Sequence, residues 1–527
     1  MIIATAALIR IWAAHTHPLI MNDETVYARM AQNLRAGHLP WDITGRADTS
    51  WTPLLPIVMA GLRPFVGSMV TAGYVIDIFF GSLLLIPTYL LGAEMVNRRV
   101  GLMTAGLMAV SPLFVNYSSM IYSESIYIYF FLYAALFGWR LLTRRTLSAG
   151  ILAGVSLAFA YVAIPTAIIY LVILIVLGML VAHFNRSTKQ LLKPLLFMVA
   201  VFLVIASPYV FFLHNQLHQW TFTGKDASGK SAALDNGWDT TAGWNDGAMA
   251  LTPNGTETQL DQVNQNSDSE STLGAFFHHP AQRFKTFFND LRQLEENIPH
   301  IFFIGLLPLL GLGLFVEDWN LARAKRVGYT FLFVLPAVPM LAVWFDGVRF
   351  FMPFVPLLMI WIANGWRQLE IWGQKTLTHL TNKSGNGGLY VKLVSWIVVA
   401  LVILPILPID RGTVLAESYP VGMKEAGEAV HDSILDQKRL MCLETIPAYY
   451  AGDDWVEFPD GTYEQITKYA RANDVDYMVI DAGDIMQWRP QLEILLEDKS
   501  KHPEWTLTAI LDKKGGDDET YVFELQK

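Results

Sequence analysis

The sequence has few charged residues and almost no cysteine. Of its 527 residues 16% are charged, whereas soluble proteins carry roughly 25%. The single cysteine, Cys442, excludes an intramolecular disulfide framework and a cysteine-based zinc site. An excess of positive charge is also lacking, and the net charge of −9 argues against nucleic acid as a partner.

Apolar residues are abundant instead, at 53% of the chain, and they are concentrated in runs of about twenty, long enough to cross a bilayer. We therefore predict a polytopic α-helical membrane protein. No small-residue cleavage site precedes Asp23, so no cleavable signal peptide is expected. About eleven spans are predicted, with one long run divided at Pro165: 1–14, 69–92, 101–118, 124–142, 147–162, 164–184, 191–213, 299–316, 328–344, 350–366 and 391–408.

Basic residues in alternate connections predict the orientation of these spans, because cytoplasmic loops are enriched in lysine and arginine. The clusters are Arg98 and Arg99; Arg140, Arg144 and Arg145; Arg186, Lys189 and Lys193; Arg323, Lys325 and Arg326; and Arg367, Lys375, Lys383 and Lys392. With eleven spans all five fall on one side, the cytoplasmic side. The extracytoplasmic face then holds the loops 15–68, 119–123 and 214–298 and the C-terminal tail from Asp410 onward.

The tail has a different pattern from the rest of the chain. Short strand-like runs at 440–445, 475–481, 506–512 and 519–526 alternate with helical segments at 424–437, 463–474 and 489–498. This pattern predicts a small soluble α/β domain over 410–527, following a transmembrane domain over 1–409. The tail contains no G-x-G-x-x-G loop, Walker sequence or metal-ligand spacing.

Two adjacent carboxylates, Asp23 and Glu24, follow the first apolar run. They open a helical pattern in which Val26, Met30 and Leu34 share a face. A local explanation is available, because Asn22 or Asp23 can cap the helix and acids in a first turn complement its dipole. At the edge of the hydrocarbon, however, an ionised carboxylate is costly unless it faces a polar cavity.

Two further charged residues are predicted on the same face, Glu124 and Arg349, each next to the start of a span. Taken one at a time, each is explained as an interfacial anchor or a local salt bridge. Two carboxylates and an arginine that converge from distant segments indicate a site instead.

The order of these motifs resembles the GT-C superfamily of membrane glycosyltransferases, in particular the protein O-mannosyltransferases and the lipid A aminoarabinose transferase. The matching stretches, nearly end to end, are Asp23-Glu24 with Tyr27, Thr52-Pro53-Leu54-Leu55-Pro56, Ser111-Pro112 before Ser123-Glu124, His279-Pro280, Arg349-Phe350-Phe351-Met352-Pro353 and the α/β tail. One departure is Ser50-Trp51-Thr52, where the aminoarabinose branch has a lysine. That departure weakens lipid A as the acceptor and leaves Arg46 as a candidate for the missing phosphate contact.

The resemblance implies a sugar donor linked through phosphate to a polyprenol, and an acceptor hydroxyl on a protein, lipid or glycan. It implies Asp23, Glu24 and Glu124 as the catalytic residues, with Arg349 and Arg46 at the donor phosphate. Asp23 is the base or orients the acceptor hydroxyl, and Glu124 orients a sugar hydroxyl or assists Asp23. Tyr27, Tyr122 and His279 are the candidate substrate contacts, with interfacial anchoring as the alternative for Tyr122 and His279. No cofactor is required; if a divalent metal is used, Asp23, Glu24 and Glu124 are its oxygen ligands.

Two other functions remain open from the sequence. A transporter also carries intramembrane charges and broken spans, although no internal repeat is visible and the acids are predicted at one face instead of the midplane. A non-catalytic lipid-binding scaffold would share the fold.

Overall fold

The computed structural model describes residues 1–38, 42–45, 49–184, 188–224, 244–266, 306–337, 348–381, 420–433, 438–497, 503–511 and 519–526, with a few more between 285 and 292 and between 391 and 397. The first half of the chain is a series of helices. They are α1 (Ile2–Ala14), α2 (Asn22–Arg35), α3 (Leu54–Val66), α4 (Met69–Leu83), α5 (Leu85–Met95), α6 (Arg98–Ala109), α7 (Pro112–Tyr117), α8 (Glu124–Arg144), α9 (Leu147–Ala163), α10 (Ile168–Phe184) and α11 (Thr188–Leu217).

The second half of the chain contains further helices of the transmembrane domain and those of the C-terminal α/β domain. Within the described residues, they include Gln259–Asn266, Leu307–Phe315, Leu321–Val334 and the 27-residue helix Val355–Thr381, which a 3-10 segment, Val348–Phe354, precedes. The predicted break before Pro165 is confirmed: α9 ends at Ala163, and a 3-10 turn, Pro165–Ala167, starts the next helix.

Four described helical stretches are long and apolar enough to cross a membrane, which makes this a multi-pass membrane protein. They are Met69–Met95, Glu124–Arg144, Pro165–Phe184 and Lys189–Leu217, and α1, α3 and α9 are shorter apolar helices. The count of about eleven spans is therefore not confirmed. The predicted span 101–118 differs most, because helix α6 ends at Ala109 and a separate helix, α7, begins at Pro112. Parts of the spans 299–316, 328–344 and 391–408 lie outside the described residues.

Aromatic rings link the helices at the centre of the bundle. Phe131 of α8, Tyr170 of α10 and Phe333 are buried, and their ring centroids lie 4.9 to 5.7 Å apart. Phe354, just before the long helix Val355–Thr381, packs on Phe131 at 6.2 Å. Such edge and offset contacts add to the burial of the rings, so this cluster fixes the segment that carries residue 349 against α8.

The C-terminal domain is an α/β unit, as predicted. Its five-stranded sheet has the order β2-β1-β3-β5-β4, in which β1, β2 and β3 are parallel and β5 is antiparallel to β3 and β4. The strands are β1 (Arg439–Cys442), β2 (Asp454–Glu457), β3 (Tyr477–Asp481), β4 (Trp505–Leu511) and β5 (Thr520–Leu525), and the helices are Val421–Ser433, Ile446–Ala451, Tyr463–Ala472, Ala482–Trp488 and Ile494–Glu497.

Four features of this domain differ from the prediction. The strand β2 and the short helices Ile446–Ala451 and Ala482–Trp488 have no counterpart in the sequence pattern, and the predicted helix over 489–498 is a 3-10 turn followed by one helical turn. The predicted boundary at residues 409 and 410 lies outside the described residues and stays a prediction.

Helix α2 lies between the two domains and has a core on either side. Val26 and Met30 share a buried apolar cluster with Leu440 and Val479 of the sheet. Tyr27, Ala28 and Ala31 belong to a second cluster, which includes Leu55, Met59 and Ile76 of α3 and α4. All residues from 24 to 31 are buried in consequence.

The helix Leu307–Phe315 and the long helix Val355–Thr381 pack through a close backbone contact. Gly313 of the helix Leu307–Phe315 faces Gly365 of the long helix, and a Cβ atom on Gly313 would overlap the carbonyl oxygen of Trp361. Gly313→Ala should therefore destabilise the protein by about 1–3 kcal/mol and lower its apparent Tm in detergent. The matched control is Gly311→Ala on the same helix, where a Cβ atom meets nothing within 4 Å. An unchanged Tm for Gly313→Ala would contradict the packing described.

Candidate active site

Arg349 brings Asp23 and Glu124 together. Its Nη1 donates to Oδ2 of Asp23 at 2.5 Å, and its Nε lies 3.9 Å from Oε1 of Glu124. The side chains of Arg349 and Asp23 are about one quarter exposed, at 23% and 24%, whereas that of Glu124 is 8% exposed. The three charged residues that the sequence predicts on one face therefore form one cluster.

Aromatic side chains cover the guanidinium of Arg349. Its central carbon lies 5.6 Å from the ring centroid of Tyr122 and 5.1 Å from that of Phe350, within the range of cation–π attraction. Burial raises the pKa of Tyr122 above its ordinary value, so its hydroxyl stays neutral. The predicted substrate contact Tyr122 is thus at the cluster.

A small pocket lies beside Arg349 and Glu124, and both residues line it. Besides these two charged residues, the lining consists of residues with a hydroxyl group, Tyr127, Thr166 and Tyr170, and of apolar residues, Ile164, Phe350, Pro353 and Phe354. Small-molecule sites in proteins have this composition, mostly apolar with a few placed polar groups.

Glu24, and not Asp23, caps helix α2. The N-cap is Met21, and Oε2 of Glu24 accepts a hydrogen bond from the Met21 N–H at 2.9 Å. Its Oε1 accepts from the N–H of Ile121 at 2.7 Å, across to the loop before α8. The prediction that Asn22 or Asp23 caps the helix is therefore wrong, and the Asp23 carboxylate is directed to Arg349 instead.

Glu24 is almost completely buried, at 1% exposure. Burial raises the pKa of Glu24 to about 7, and the nearby Asp23 carboxylate adds to the rise, while the two N–H groups oppose it. Since both oxygens already accept from the backbone, the structure places Glu24 as a link between α2 and the loop before α8.

Tyr27 contacts the segment that carries Glu124. Its hydroxyl donates to Oγ of Ser123 at 3.0 Å, and its ring meets Trp51 edge to face with the centroids 5.0 Å apart. Tyr27 therefore contacts the residue before Glu124 and does not line the pocket. The remaining predicted site residues, Arg46 and His279, lie outside the described residues.

Sequence reasoning missed Asp77, a fully buried acid within the span Met69–Met95. It lies beside Ser125 and the backbone of Tyr122. Gly73 and Gly81, one turn to either side on α4, leave room for Ile121 and Ser118. This face of α4 therefore holds the 118–125 segment, which includes Glu124. The signal was present, because an ionisable residue inside a span marks a site by default.

The sequence predicts that Asp23, Glu24 and Glu124 bind a divalent metal if one is used. In the structure their carboxylates do not converge on one point. Asp23 and Glu124 both face Arg349, and Glu24 has both oxygens on backbone N–H groups. In the part of the chain that the structure describes, no group of three His, Cys, Asp or Glu side chains could hold a metal ion. As arranged, these carboxylates do not fit the oxygen cage that a divalent cation requires.

Comparison with protein families gives one match. The family model described as dolichyl-phosphate-mannose-protein mannosyltransferase matches residues 50–212, which is less than half of the chain. No curated protein sequence matches at a significant level.

Solved structures share the fold over almost the whole chain. The Archaeoglobus fulgidus oligosaccharyltransferase in complex with Zn and sulfate aligns with a TM-score of 0.57 and 13% identity, over 98% of this chain and 73% of that one. The AglB oligosaccharyltransferase from the same organism, with an inhibitory peptide and a dolichol-phosphate, gives a TM-score of 0.54 at 12% identity, over 98% and 73%. ArnT from Cupriavidus metallidurans bound to undecaprenyl phosphate gives 0.55 at 12% identity, over 99% and 97%. The predicted resemblance to the GT-C superfamily is confirmed as a likeness of fold.

The buried carboxyl of Glu24 generates a pH prediction. Because its pKa is raised from 4.5 to about 7 on folding, the native state holds this proton more tightly than the unfolded state. Its contribution to stability is therefore full below pH 4.5 and falls by about 3 kcal/mol as the pH rises to 7. Glu24→Gln removes this titration, but Gln can accept only one of the two hydrogen bonds, which costs about 1–3 kcal/mol at every pH.

The measurement is the apparent Tm of both proteins in detergent between pH 4.5 and 7.5. The variant should be the less stable at pH 4.5, and the gap should narrow or reverse by pH 7.5. A gap that does not depend on pH would show that Glu24 does not titrate in this range.

Proposed function

We propose that this protein is an integral-membrane glycosyltransferase that moves a sugar from a polyprenyl-phosphate donor to an acceptor hydroxyl. The observation that carries the proposal is the cluster in which Arg349 lies against both Asp23 and Glu124, beside the pocket that Arg349 and Glu124 line. One cation for a phosphate and a carboxylate for a hydroxyl proton are the two groups that this transfer needs.

Asp23 is the base of the proposed reaction. It accepts the proton of the acceptor hydroxyl while the hydroxyl oxygen attacks the anomeric carbon of the sugar. The bond between that carbon and the phosphate oxygen breaks, and both electrons leave with the polyprenyl phosphate. Attack opposite the leaving group inverts the anomeric centre through an oxocarbenium-like state, of the kind that glycosidases stabilise.

Arg349 binds the leaving phosphate. Among the described residues its guanidinium donates one hydrogen bond, to Asp23, and it has five N–H groups in total, enough for a bidentate phosphate contact as well. Negative charge grows on the phosphate as the bond breaks, so this contact is stronger in the transition state than with bound donor, and that difference accelerates the reaction.

The other acids have different proposed roles. Glu124 is 8% exposed and lines the pocket, where it orients a sugar hydroxyl. Glu24 positions the loop that carries Glu124 through its bond to Ile121. Tyr122 contacts the sugar or phosphate beside Arg349, and Arg46 and His279 stay predictions.

The location of the cluster supports transfer over transport. Asp23 lies in the first turn of α2 and Glu124 is the first residue of α8, whereas Arg140 and Arg144 lie near the other end of α8. The cluster is thus at the end of the span away from the basic residues, which supports an extracytoplasmic reaction. A transport site is expected at the midplane between repeats.

The structural relatives support a lipid phosphate as the donor carrier. ArnT was solved with undecaprenyl phosphate and AglB with a dolichol-phosphate and a peptide. We extend the lipid phosphate to this chain as the donor class, and a protein, lipid or glycan as the acceptor class.

The test is transfer of radiolabelled sugar from polyprenyl-phosphate donors by purified protein in membranes. Asp23→Asn keeps the size of the side chain and removes the base, so the rate should fall by about 10²–10⁴-fold. The control is Glu428→Gln, which removes a half-exposed carboxylate of the C-terminal domain and should leave the rate unchanged. Equal transfer by wild type and Asp23→Asn, with both folded, would remove Asp23 from the chemistry.

A second test separates charge from geometry at residue 349. Lysine keeps the positive charge, but it cannot contact a phosphate through two parallel donors while it holds Asp23. Loss of one charge-assisted hydrogen bond, about 1.5–3 kcal/mol, corresponds to a drop of about 10- to 100-fold in kcat/KM. Arg349→Gln should lose more. Full activity in Arg349→Lys would show that a point charge is sufficient.

A further inference from the structure

The C-terminal domain contacts helix α2 through one buried arginine. Arg29 donates to three backbone carbonyls at the end of the helix Ile446–Ala451: Nη1 to Gly452 at 2.9 Å, and Nη2 to Ala448 at 3.1 Å and Asp453 at 3.0 Å. Arg29 is buried, at 8% exposure. The carbonyl of Ala448 also accepts from the backbone N–H of Asp453 at 3.0 Å, so the guanidinium of Arg29 adds a contact from α2 to a helix end that is already ordered within the C-terminal domain.

The same segment of the C-terminal domain reaches the first turn of α2. The hydroxyl oxygens of Thr25 and Thr445 lie 2.7 Å apart, and Thr445 also donates to the carbonyl of Asn22 at 3.4 Å. Glu444 lies beside the Asn22 side chain. Residues 444–453 therefore contact α2 both at Arg29 and at the residue directly before Asp23.

Apolar packing alone does not fix α2 along its axis. Val26 and Met30 pack on the sheet, and the opposite side packs on α3 and α4, but such contacts tolerate small sliding movements. Three hydrogen bonds from one planar group have a fixed geometry. Arg29 thus restricts movement of the helix relative to the C-terminal domain, while Glu24 and Tyr27 hydrogen-bond the loop before α8.

We propose that Arg29 is a positioning residue: it fixes α2 to residues 444–453 of the C-terminal domain, and so holds Asp23 at Arg349. The effect on activity rests on the proposed function, whereas the anchoring of α2 does not. In this arrangement the C-terminal domain is part of the framework of the site.

The kinetic test is Arg29→Gln with Arg35→Gln as the matched control. Arg35 is on the same helix and exposed, so its replacement should change neither kcat nor KM. A displacement of about 1 Å costs roughly 100-fold in rate, so Arg29→Gln should lower kcat by about 10- to 100-fold. The KM for the donor should change less, since Arg349 is intact. Arg29→Lys should fall between Arg29→Gln and wild type.

A second measurement does not require activity. Hydrogen–deuterium exchange of the amides of residues 22–35 should be faster in Arg29→Gln than in wild type and unchanged in Arg35→Gln. Unchanged exchange in Arg29→Gln would overturn the anchor. Faster exchange in Arg29→Gln with an unchanged kcat would overturn the proposal that Arg29 positions Asp23. If wild type transfers no sugar from any donor, the proposed function fails, and exchange alone decides whether Arg29 anchors α2.

A cross-link gives a rescue test. Thr25→Cys with Thr445→Cys places two sulfurs where the hydroxyls are 2.7 Å apart, and the native Cys442 is buried. In the Arg29→Gln background, the disulfide should restore slow exchange and kcat, and reduction should reverse both. A disulfide that forms but restores neither would overturn the proposal. The control is the same two cysteine substitutions in the protein that keeps Arg29, which measures the effect of the cysteines themselves.

Discussion

The contact of Arg349 with Asp23 and Glu124 is the constraint on which the site depends. Charged groups near the hydrocarbon are stable only when they are paired or face a polar space. The two carboxylates come from segments about a hundred residues apart, and the arginine from a third segment more than two hundred residues later. Their pairing with one arginine therefore requires α2, the start of α8 and the segment Val348–Phe354 to meet at one place.

The sequence allowed this meeting to be predicted, because the basic residues predicted the sidedness of each span and the three charges were predicted on one side. It did not allow the role of Glu24 to be predicted. The partners of Glu24 are two backbone N–H groups, one of them 97 residues away at Ile121, and backbone partners leave no signal in a sequence. Asp77 was visible as a lone acid within a span, but its neighbours Ser125 and Tyr122 are known only from the fold.

Helix α2 shows a similar limit. The spacing of Val26 and Met30 predicts one apolar face, and that face does pack, on the sheet of the C-terminal domain. Its other side, with Tyr27, Ala28 and Ala31, packs on the membrane helices because small and amphipathic residues fit a close approach there. A helix buried on two sides has no fully polar face, so periodicity alone assigns it only one partner.

The pairing of Asp23 with Arg349 also bears on the geometry of the proposed reaction. One oxygen of Asp23 accepts a hydrogen bond from Nη1 of the guanidinium, which leaves its other N–H groups for the oxygens of a donor phosphate. The base and the leaving group would then bind to the same planar group. Because that group is rigid, it would fix the distance between the carboxylate that accepts the proton and the phosphate that departs. The position of α2, which carries Asp23, would therefore decide how well the acceptor hydroxyl is aligned with the anomeric carbon.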